Sequence, residues 1–295
     1  MSAAEAVSGA VSQAVAELLQ TPVSGVVGLG DGVFEVDLAC GEFGCLAGTA
    51  GGTVVAKRHR LPGQAAAEVG GLEWLAEAAV PVPGVRAFDG TWVVMDQVEP
   101  GSPSREAAEG LGRDLARLHA AGADAFGSGP TAEAWIGQAP MRNAPAADWP
   151  RWYAEERVLP YLRLAVDAGA IGDAGPVERV CERIGELAGP AEPPARLHGD
   201  LWNGNVLWGA DGRAWLIDPA AHGGHRETDL AMLALFGCPH LATVLSAYDE
   251  AAPLAPGWRA RVALHQLFPL LVHVVLFGGG YARQAVSAAR AALAG

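Results

Sequence analysis

The segment 197–219 places a short polar loop between two apolar runs, and this pattern limits the folds that the chain can adopt. The loop carries Asp200 and Asn205 among glycines, and the turn Gly-Ala-Asp-Gly divides the apolar residues of 206–217 into two runs. Two such runs predict a hairpin, which would bring Asp218 back beside the loop. We therefore expect a strand–loop–hairpin unit in which Asp200, Asn205 and Asp218 converge.

The spacing Asp-x-x-x-x-Asn, followed by a later Asp, suits phosphoryl transfer. This chemistry needs a carboxylate that accepts the proton of the attacking hydroxyl, and oxygen ligands that hold Mg²⁺ against the phosphates. The pattern predicts Asp200 as the base and Asn205 and Asp218 as the metal ligands. The alternative is that these residues only form turns around glycines. That explanation suits Asp211, but for the other three it requires several spacings to agree by accident.

The chain contains a single lysine, Lys57, at the end of the β-branched run Thr-Val-Val-Ala-Lys. Apart from histidines, all of its other basic residues are arginines. A planar guanidinium does not replace a compact ammonium on a flexible stem. With the phosphoryl-transfer loop downstream, we predict that Lys57 contacts nucleotide phosphates and pairs with Glu68 on a helix expected over 64–79. A glycine-rich turn at 28–32 precedes both. Without that loop, the simpler explanations would be that Lys57 is a remnant of a compositional bias toward arginine and that Glu68 lies on a solvated helix face.

Composition and charge narrow the class of protein. The chain has 295 residues, of which 51% are hydrophobic and 18% charged, as in a packed globular protein with about two lobes. Its formal net charge of -13 argues against nucleic acid or an anionic membrane as a partner. The first 20 residues predict an amphipathic helix, and the apolar run 267–277 is too short to span a bilayer. We expect a cytoplasmic protein, with no role assigned to Cys40 or Cys45.

The hydrophobic pattern changes character near residue 97. Glycines and alternating β-branched residues before this point predict strands, whereas longer amphipathic segments after it predict helices. The expected fold is α+β with two lobes. A small antiparallel-sheet lobe over 1–97, with about five strands and one packed helix, would bind the nucleotide. A mostly helical lobe over 98–295 would hold the catalytic loop, the metal and the substrate site. The segment 39–52 has no clear strand pattern.

The chain resembles the fructosamine kinase (ketosamine 3-kinase) family, a branch of the protein-kinase-like fold that also includes aminoglycoside and choline phosphotransferases. The residues that carry the resemblance are LHGDLWNGN at 197–205, LIDPA at 216–220, GHRETDLAMLALFG at 224–237, LGRDLARLH at 111–119 and FGGGY at 277–281. The pattern HGDxxxxN is shared by the wider superfamily. Its combination with the two motifs that follow is narrower and points to the fructosamine branch.

The resemblance implies a two-lobed protein-kinase-like fold and ATP-dependent, Mg²⁺-assisted phosphorylation of a sugar hydroxyl on a ketosamine. The ketosamine would be a small molecule or part of a glycated protein. With a glycated protein as substrate, the activity would be one of protein deglycation. The implied roles are Asp200 as base, Asn205 and Asp218 on Mg²⁺, Lys57 and Glu68 as an ion pair, Gly28, Gly30 and Gly32 over the phosphates, Met95, Asp96 and Val98 at the adenine, and Trp202, His198 and Glu227 near the substrate. Trp202 either faces the sugar or packs in the protein, and Asp229 is expected to anchor the catalytic loop by hydrogen bonds.

Function classes other than a ketosamine kinase stay open. A phosphotransferase acting on an aminoglycoside or on choline would share the HGDxxxxN core. A non-catalytic nucleotide-binding scaffold would have lost at least one of Lys57, Asp200, Asn205 and Asp218, and all four are present. A hydrolase that uses Asp200 and Asp218 as a carboxylate pair would leave the lysine and the asparagine unexplained.

Overall fold

The structure is a computed structural model that describes residues 3–39 and 52–295, so Cys40, Cys45 and most of the segment 39–52 lie outside the described residues. The strands are β1 (Val23–Gly30), β2 (Val33–Leu38), β3 (Thr53–Arg58), β4 (Val85–Phe88), β5 (Trp92–Asp96), β6 (Glu133–Ile136), β7 (Ala139–Arg142), β8 (Ala195–Leu197), β9 (Val206–Trp208), β10 (Ala214–Leu216) and β11 (His222–Gly224). The helices are α1 (Ala3–Leu19), α2 (Gln64–Glu77), α3 (Arg105–Ala120), α4 (Trp149–Trp152), α5 (Leu159–Asp167), α6 (Gly175–Glu182), α7 (Ile184–Leu187), α8 (Glu227–Leu235), α9 (Leu241–Ala251), α10 (Trp258–His265), α11 (Leu267–Phe277) and α12 (Ala282–Ala294). A π-helical turn (Tyr153–Val158) joins α4 to α5.

The N-lobe is built on an antiparallel sheet of five strands in the order β1-β2-β3-β5-β4. Side chains alternate across a strand, and in β5 both sets are apolar. Trp92 and Val94 pack in one cluster with α1, whereas Val93 and Met95 pack in another with α2. The predicted five strands are therefore present, but two helices cover them where one was expected. A strand that is apolar on both faces needs a cover on each.

The C-lobe is mostly helical, and with the antiparallel N-lobe sheet it confirms the predicted two-lobed α+β fold. Its main core joins the π-helical region with α5, α6, α10, α11 and α12. The apolar run 267–277 is helix α11, and most of its residues are buried in this core, as expected. The stretch Trp258–Phe277 is long and apolar enough to cross a membrane by length and composition, but more than half of its most apolar window is buried inside the protein.

Short strands of the C-lobe position the loop between β8 and β9. The hairpin β9–β10 is present as predicted, with Leu216 paired to Val206. The segment that links the lobes runs along this hairpin, because Ala210 N donates to Glu99 O and Gly101 N donates to Trp208 O. The segment that links the lobes is therefore attached to the hairpin that follows the polar loop, at its turn.

Candidate active site

Asp200 follows a sharp turn at the end of β8. Gly199 has a φ of +83°, and a Cβ atom there would lie 2.1 Å from Ala220 O. Only glycine fits such a conformation at such a close approach. The turn directs the chain out of the buried strand, so that the Asp200 side chain lines a cavity.

The backbone of this turn is held by Asp229 of α8, as predicted. One carboxylate oxygen accepts a hydrogen bond from His198 N at 2.8 Å, and the other accepts one from Gly199 N at 2.9 Å. His119 Nε2 lies 3.2 Å from the same carboxylate, and its Nδ1 lies 2.8 Å from the Tyr248 hydroxyl. Burial opposes the charged form of Asp229, but the hydrogen bond and the charge of His119 lower its pKa. The turn thus rests on a buried, ionised carboxylate.

The structure brings Asp200, Asn205 and Asp218 together. Asn205 Nδ2 donates to Asp200 O at 2.8 Å, to Asp200 Oδ2 at 3.1 Å and to Asp218 O at 3.4 Å. Asp218 follows β10 in the left-handed region, with a φ of +54°, and its side chain is 41% exposed. One asparagine therefore fixes both aspartates, and Asp218 keeps much of its carboxylate surface open.

The pKa of Asp200 suits a general base. Burial raises the pKa of this carboxyl to about 7, with the hydrogen bond from Asn205 acting in the opposite direction and the negative charges of Asp218 and Asp229 adding to the rise. A catalytic base works best when its pKa is near the operating pH. Asp200 can therefore accept a proton near neutrality and release it again.

Lys57 stands between two carboxylates that come from different lobes. It is paired with Val93 across β3 and β5, and Val93 belongs to the sheet face that α2 covers. Its Nζ lies 2.8 Å from Glu68 Oε2 and donates to Asp218 Oδ1 at 2.7 Å. Burial would lower the pKa of Lys57, but the charges of Glu68 and Asp218 raise it instead. The predicted Lys57–Glu68 pair is thus present, and it extends to Asp218 at the end of the β9–β10 hairpin.

His59 is a further partner of Glu68 that the sequence analysis did not single out. Its Nε2 lies 2.8 Å from Glu68 Oε2, the oxygen that also faces Lys57, although the ring N–H is not directed along this line. Burial opposes ionisation of Glu68, but His59 and Lys57 lower its pKa to about 2. The spacing between Lys57 and His59 could have identified this partner, because residues two apart on an extended chain face the same side.

A cavity of about 470 Å³ collects the predicted residues Lys57, Glu68, Asp200, Trp202, Asn205 and Asp218 in its wall. The Trp202 side chain is partly exposed there and makes an edge contact with Phe236. Its ring lies over Gly204, where a Cβ atom would come within 2.2 Å of it. Trp202 therefore lies both at the cavity and against its own loop.

Several lining residues were missed by the sequence analysis: Gln64, Trp135, Gln138, His273 and Phe277. Trp135 lies in β6, and Gln138 lies in the turn that joins β6 to β7. Each of these strands has only four residues, so its hydrophobic pattern gives little periodic signal. His273 and Phe277 come from the end of α11. The motif FGGGY marked this end, but only tertiary packing brings it to the cavity that Asp200 lines.

The glycines predicted to cover the phosphates form a hairpin at the edge of this cavity. Asp31 and Gly32 both have positive φ, as in the two-residue turns that join twisted strands. Asp31 and Val33 line the cavity, whereas Gly28, Gly30 and Gly32 do not. The hairpin is therefore beside the site, and the contact of its glycines with phosphates stays a prediction.

The residues expected at the adenine lie outside the cavity wall. Met95 is buried against α2, and Asp96 forms an ion pair with Arg86 while its backbone N donates to Gly84 O. Val98 follows in the segment that links the lobes. The structure does not bring these three residues to Lys57 and Asp200, and their adenine contact stays a prediction.

His198 does not reach the cavity, and this corrects its expected place near the substrate. Its side chain is fully buried, and Nε2 lies 2.9 Å from Ile217 O in the neighbouring strand segment. Burial lowers the pKa of His198. The ring therefore ties the turn before Asp200 to the strand before Asp218.

Glu227 is also buried away from the cavity, which corrects its expected place near the substrate. Arg261 Nε donates to Glu227 Oε2 at 2.9 Å, and His265 Nε2 lies 3.3 Å from the same oxygen. Together with His225 these groups could in principle surround a metal ion, since one ligand atom from each of His225, Glu227 and His265 lies within 4.8 Å of the others. The guanidinium of Arg261 already neutralises the carboxylate, so this cluster is a structural ion pair in the C-lobe core.

The free oxygens of the cavity fit Mg²⁺. Asn205 uses Nδ2 for its hydrogen bonds, and no described residue donates to its Oδ1. Asp218 is held through Oδ1 by Lys57, which leaves Oδ2 for a ligand. Mg²⁺ prefers carboxylate and amide oxygens and is usually held by one or two protein groups together with substrate phosphates.

Comparison with known proteins gives one consistent result. The sequence profile of the fructosamine kinase family matches residues 54–294. The chloroplastic protein-ribulosamine 3-kinase of Oryza sativa subsp. indica is 32% identical over 280 residues, covering 90% of this chain and 78% of that protein. A crystal structure of a candidate fructosamine-3-kinase from Thermobifida fusca has a TM-score of 0.88 and 48% identity, covering 97% of this chain and 99% of that one. Choline kinase from Streptococcus pneumoniae has a TM-score of 0.64 at 16% identity, covering 96% and 98%, which shows a similar fold.

Proposed function

Because the chain belongs to the fructosamine kinase family, we propose that it transfers the γ-phosphoryl group of ATP to a sugar hydroxyl of a ketosamine. The observation that carries this proposal is a single cavity with Asp200, Asn205, Asp218 and Lys57 in its wall. The sugar oxygen forms a bond to the γ-phosphorus, the bond from that phosphorus to the bridging oxygen of ADP breaks, and the hydroxyl proton passes to Asp200.

Asp200 is the base of this proposal. Its carboxylate is held by Asn205 and by the turn at Gly199, so it keeps one orientation. With a pKa of about 7, the carboxyl is largely ionised at slightly alkaline pH and can take the proton as the new bond forms.

Asn205 and Asp218 would hold Mg²⁺ through the oxygens that the protein leaves free. The ion, when bound, neutralises the phosphate charge that develops during transfer. Asp218 Oδ1 is held by Lys57 at 2.7 Å, which supports a role for both groups beside the phosphates. Lys57 would contact those phosphates while Glu68 keeps it in place.

The nucleotide would lie between the lobes, with residues 1–97 as the nucleotide-binding lobe and 98–295 as the lobe of the catalytic loop, the metal and the substrate. The hairpin with Gly28, Gly30 and Gly32 would cover the phosphates, and Met95, Asp96 and Val98 would contact the adenine. Trp202, beside Asp200 and partly exposed in the cavity, would face the sugar or its amine substituent. We expect the protein to act in the cytoplasm on free or protein-bound ketosamines.

A substrate panel tests the activity. The purified protein is incubated with Mg-ATP and a fructosamine, a ribulosamine, choline or an aminoglycoside, and ADP release is measured together with phosphorus NMR of the product. The expected result is phosphorylation of a ketosamine with little turnover of choline or the antibiotic. Turnover of choline or the antibiotic alone would replace the proposal with the related phosphotransferase activity, and ATP binding with no acceptor would favour a nucleotide-binding scaffold.

A variant tests the metal assignment. Asp218→Ala should weaken Mg-ATP binding in calorimetry as well as turnover, because Asp218 would be one of the residues that hold the ion needed to neutralise the phosphates. Asp211→Ala is the matched control, since Asp211 is exposed in the hairpin turn and binds Arg213. Unchanged Mg-ATP affinity in Asp218→Ala would remove this residue from the metal site.

A further inference from the structure

Helix α2 carries Glu68 and has two adjacent glycines, Gly70 and Gly71, near its middle. Glycine in a helix interior is less stable than alanine because it loses more backbone freedom on folding. A chain rich in alanine has an obvious better residue for these positions. The glycines therefore need a reason in the packing of the helix.

That reason is the contact of α2 with the C-lobe. A Cβ atom at Gly71 would lie 2.8 Å from Pro219 Cγ and 3.5 Å from Ala221 Cβ. A Cβ atom at Gly70 would lie 3.3 Å from Pro130 Cβ. A proline ring cannot rotate out of the way as a long side chain does. The helix of the N-lobe thus lies directly on the residue that follows Asp218.

The same junction holds the charged groups. Glu68 lies three positions before Gly71, which puts both on neighbouring places of one helix face. Glu68 faces Lys57, and Lys57 donates to Asp218 across the lobes. At the start of the helix Gln64 Nε2 also donates to Gly137 O in the C-lobe, at 3.5 Å. The contact at Gly71 and the ion pairs therefore join the same two segments.

We propose that Gly71 is a positioning residue, whose contact with Pro219 seats α2 against the C-lobe and keeps Lys57, Glu68 and Asp218 assembled before a nucleotide binds. A methyl group needs about 3.5–4 Å to a neighbouring carbon. Alanine at this position moves the helix away from Pro219 by roughly 1 Å, a displacement that can cost on the order of 10²-fold in rate.

The single lysine allows a direct test in the protein without nucleotide. Lys57 is the only lysine side chain, so acetylation by an N-hydroxysuccinimide ester, measured by mass spectrometry of the peptide that contains it, reads one ammonium group. The parent, Gly71→Ala and Gly110→Ala are labelled side by side, with the terminal amine as the internal reference. Gly110 is the matched control because it also lies inside a helix, α3, and a Cβ atom there meets nothing within 4 Å.

We expect slow labelling of Lys57 in the parent and in Gly110→Ala, because its Nζ is enclosed between Glu68 Oε2 at 2.8 Å and Asp218 Oδ1 at 2.7 Å. Gly71→Ala should label several-fold faster, with a raised KM for ATP and a lowered kcat, while circular dichroism and Tm show a folded protein. Equal labelling rates in folded Gly71→Ala and in the parent would overturn the proposal.

A second variant covers the case in which Gly71→Ala does not fold. Pro219→Ala removes the ring from the other side of the contact, so it should also speed labelling of Lys57, and unchanged labelling would overturn the proposal. The kinetic readout rests on the proposed ketosamine kinase activity, whereas the labelling readout needs no substrate. A protein that fails the substrate panel but shows the labelling pattern would refute the function and keep the role of Gly71.

Discussion

The two halves of the site are held in place by different forces. In the C-lobe, the turn before Asp200 is fixed by two backbone N–H groups that donate hydrogen bonds to the Asp229 carboxylate, and every partner belongs to the same lobe. In the N-lobe, Lys57 is placed by charge, between Glu68 of its own lobe and Asp218 of the other. The C-lobe half fixes the Asp200 carboxylate by contacts within one lobe. The N-lobe half holds Lys57 by ion pairs that depend on the contact between the two lobes. Substitutions that preserve shape and substitutions that preserve charge should therefore have different effects on the two halves of the site.

The largest effect should come from removing charge at constant shape in the C-lobe half. Asp200→Asn keeps the size of the side chain but cannot accept the hydroxyl proton, so we expect turnover to fall by about 10² or more with Mg-ATP binding largely retained. Steady-state kinetics and calorimetry measure the two quantities, with exposed Asp211→Asn as the control. Turnover near that of the parent would exclude Asp200 as the base.

The converse substitution tests the N-lobe half, since Lys57→Arg keeps the charge and changes the shape. The larger guanidinium would displace the phosphates or break the pairing with Glu68, and we expect kcat/KM for ATP to fall on the order of 10²-fold. Arg105→Lys, an exchange of the same two residue types at an exposed i,i+4 ion pair, should leave kinetics unchanged. An active Lys57→Arg enzyme would mean that charge alone is sufficient at this position.

The pH dependence should report the proposed base of the C-lobe half. The base must be ionised to act, and burial raises the pKa of Asp200 to about 7. The active fraction therefore falls about tenfold per pH unit below 7 and levels off above it. Glu68 has a pKa of about 2 and Lys57 a raised one, so neither changes charge in this range. A profile of kcat/KM for the ketosamine that stays flat from pH 5.5 to 8 would contradict the titration expected for Asp200.

The smallest effect on chemistry should come from the support of the turn. Asp229→Asn cannot accept both backbone hydrogen bonds and present the same charge to His119, so we expect a loss of about 1.5–3 kcal/mol in the free energy of unfolding. Urea denaturation measures this loss. The effect on kcat should be smaller than for Asp200→Asn, because Asp229 touches no reacting atom. A stable variant with parental Tm would show that the turn is held by Gly199 and the hairpin alone.

The sequence predicted the parts of the site that depend on short spacings. Asp200 and Asn205 lie in one loop, and the hairpin that returns Asp218 could be read from its apolar runs and turn residues. Lys57 and Glu68 could be paired because a strand and the helix that follows it are local elements. Trp135 and His273 could not be placed, since only the packing of a short hairpin and of α11 brings them to the cavity.

The same limit explains the two corrections. His198 and Glu227 belong to conspicuous motifs, but neighbourhood in sequence does not say which way a side chain points. His198 faces the interior of the turn, and Glu227 is neutralised by Arg261 in the core. The number of helices on the N-lobe sheet was also wrong, although the unbroken apolar run in β5 contained the signal.

The environment of Lys57 has a consequence for the durability of the enzyme itself. Reducing sugars condense with amines in the unprotonated form, as Schiff-base chemistry requires. This chain offers them one lysine, which is 20% exposed and whose pKa is raised by two carboxylates. A protein proposed to act on glycated amines thus presents almost no lysine amine that sugars can glycate. Lys57 is protected by the same ion pairs that position it.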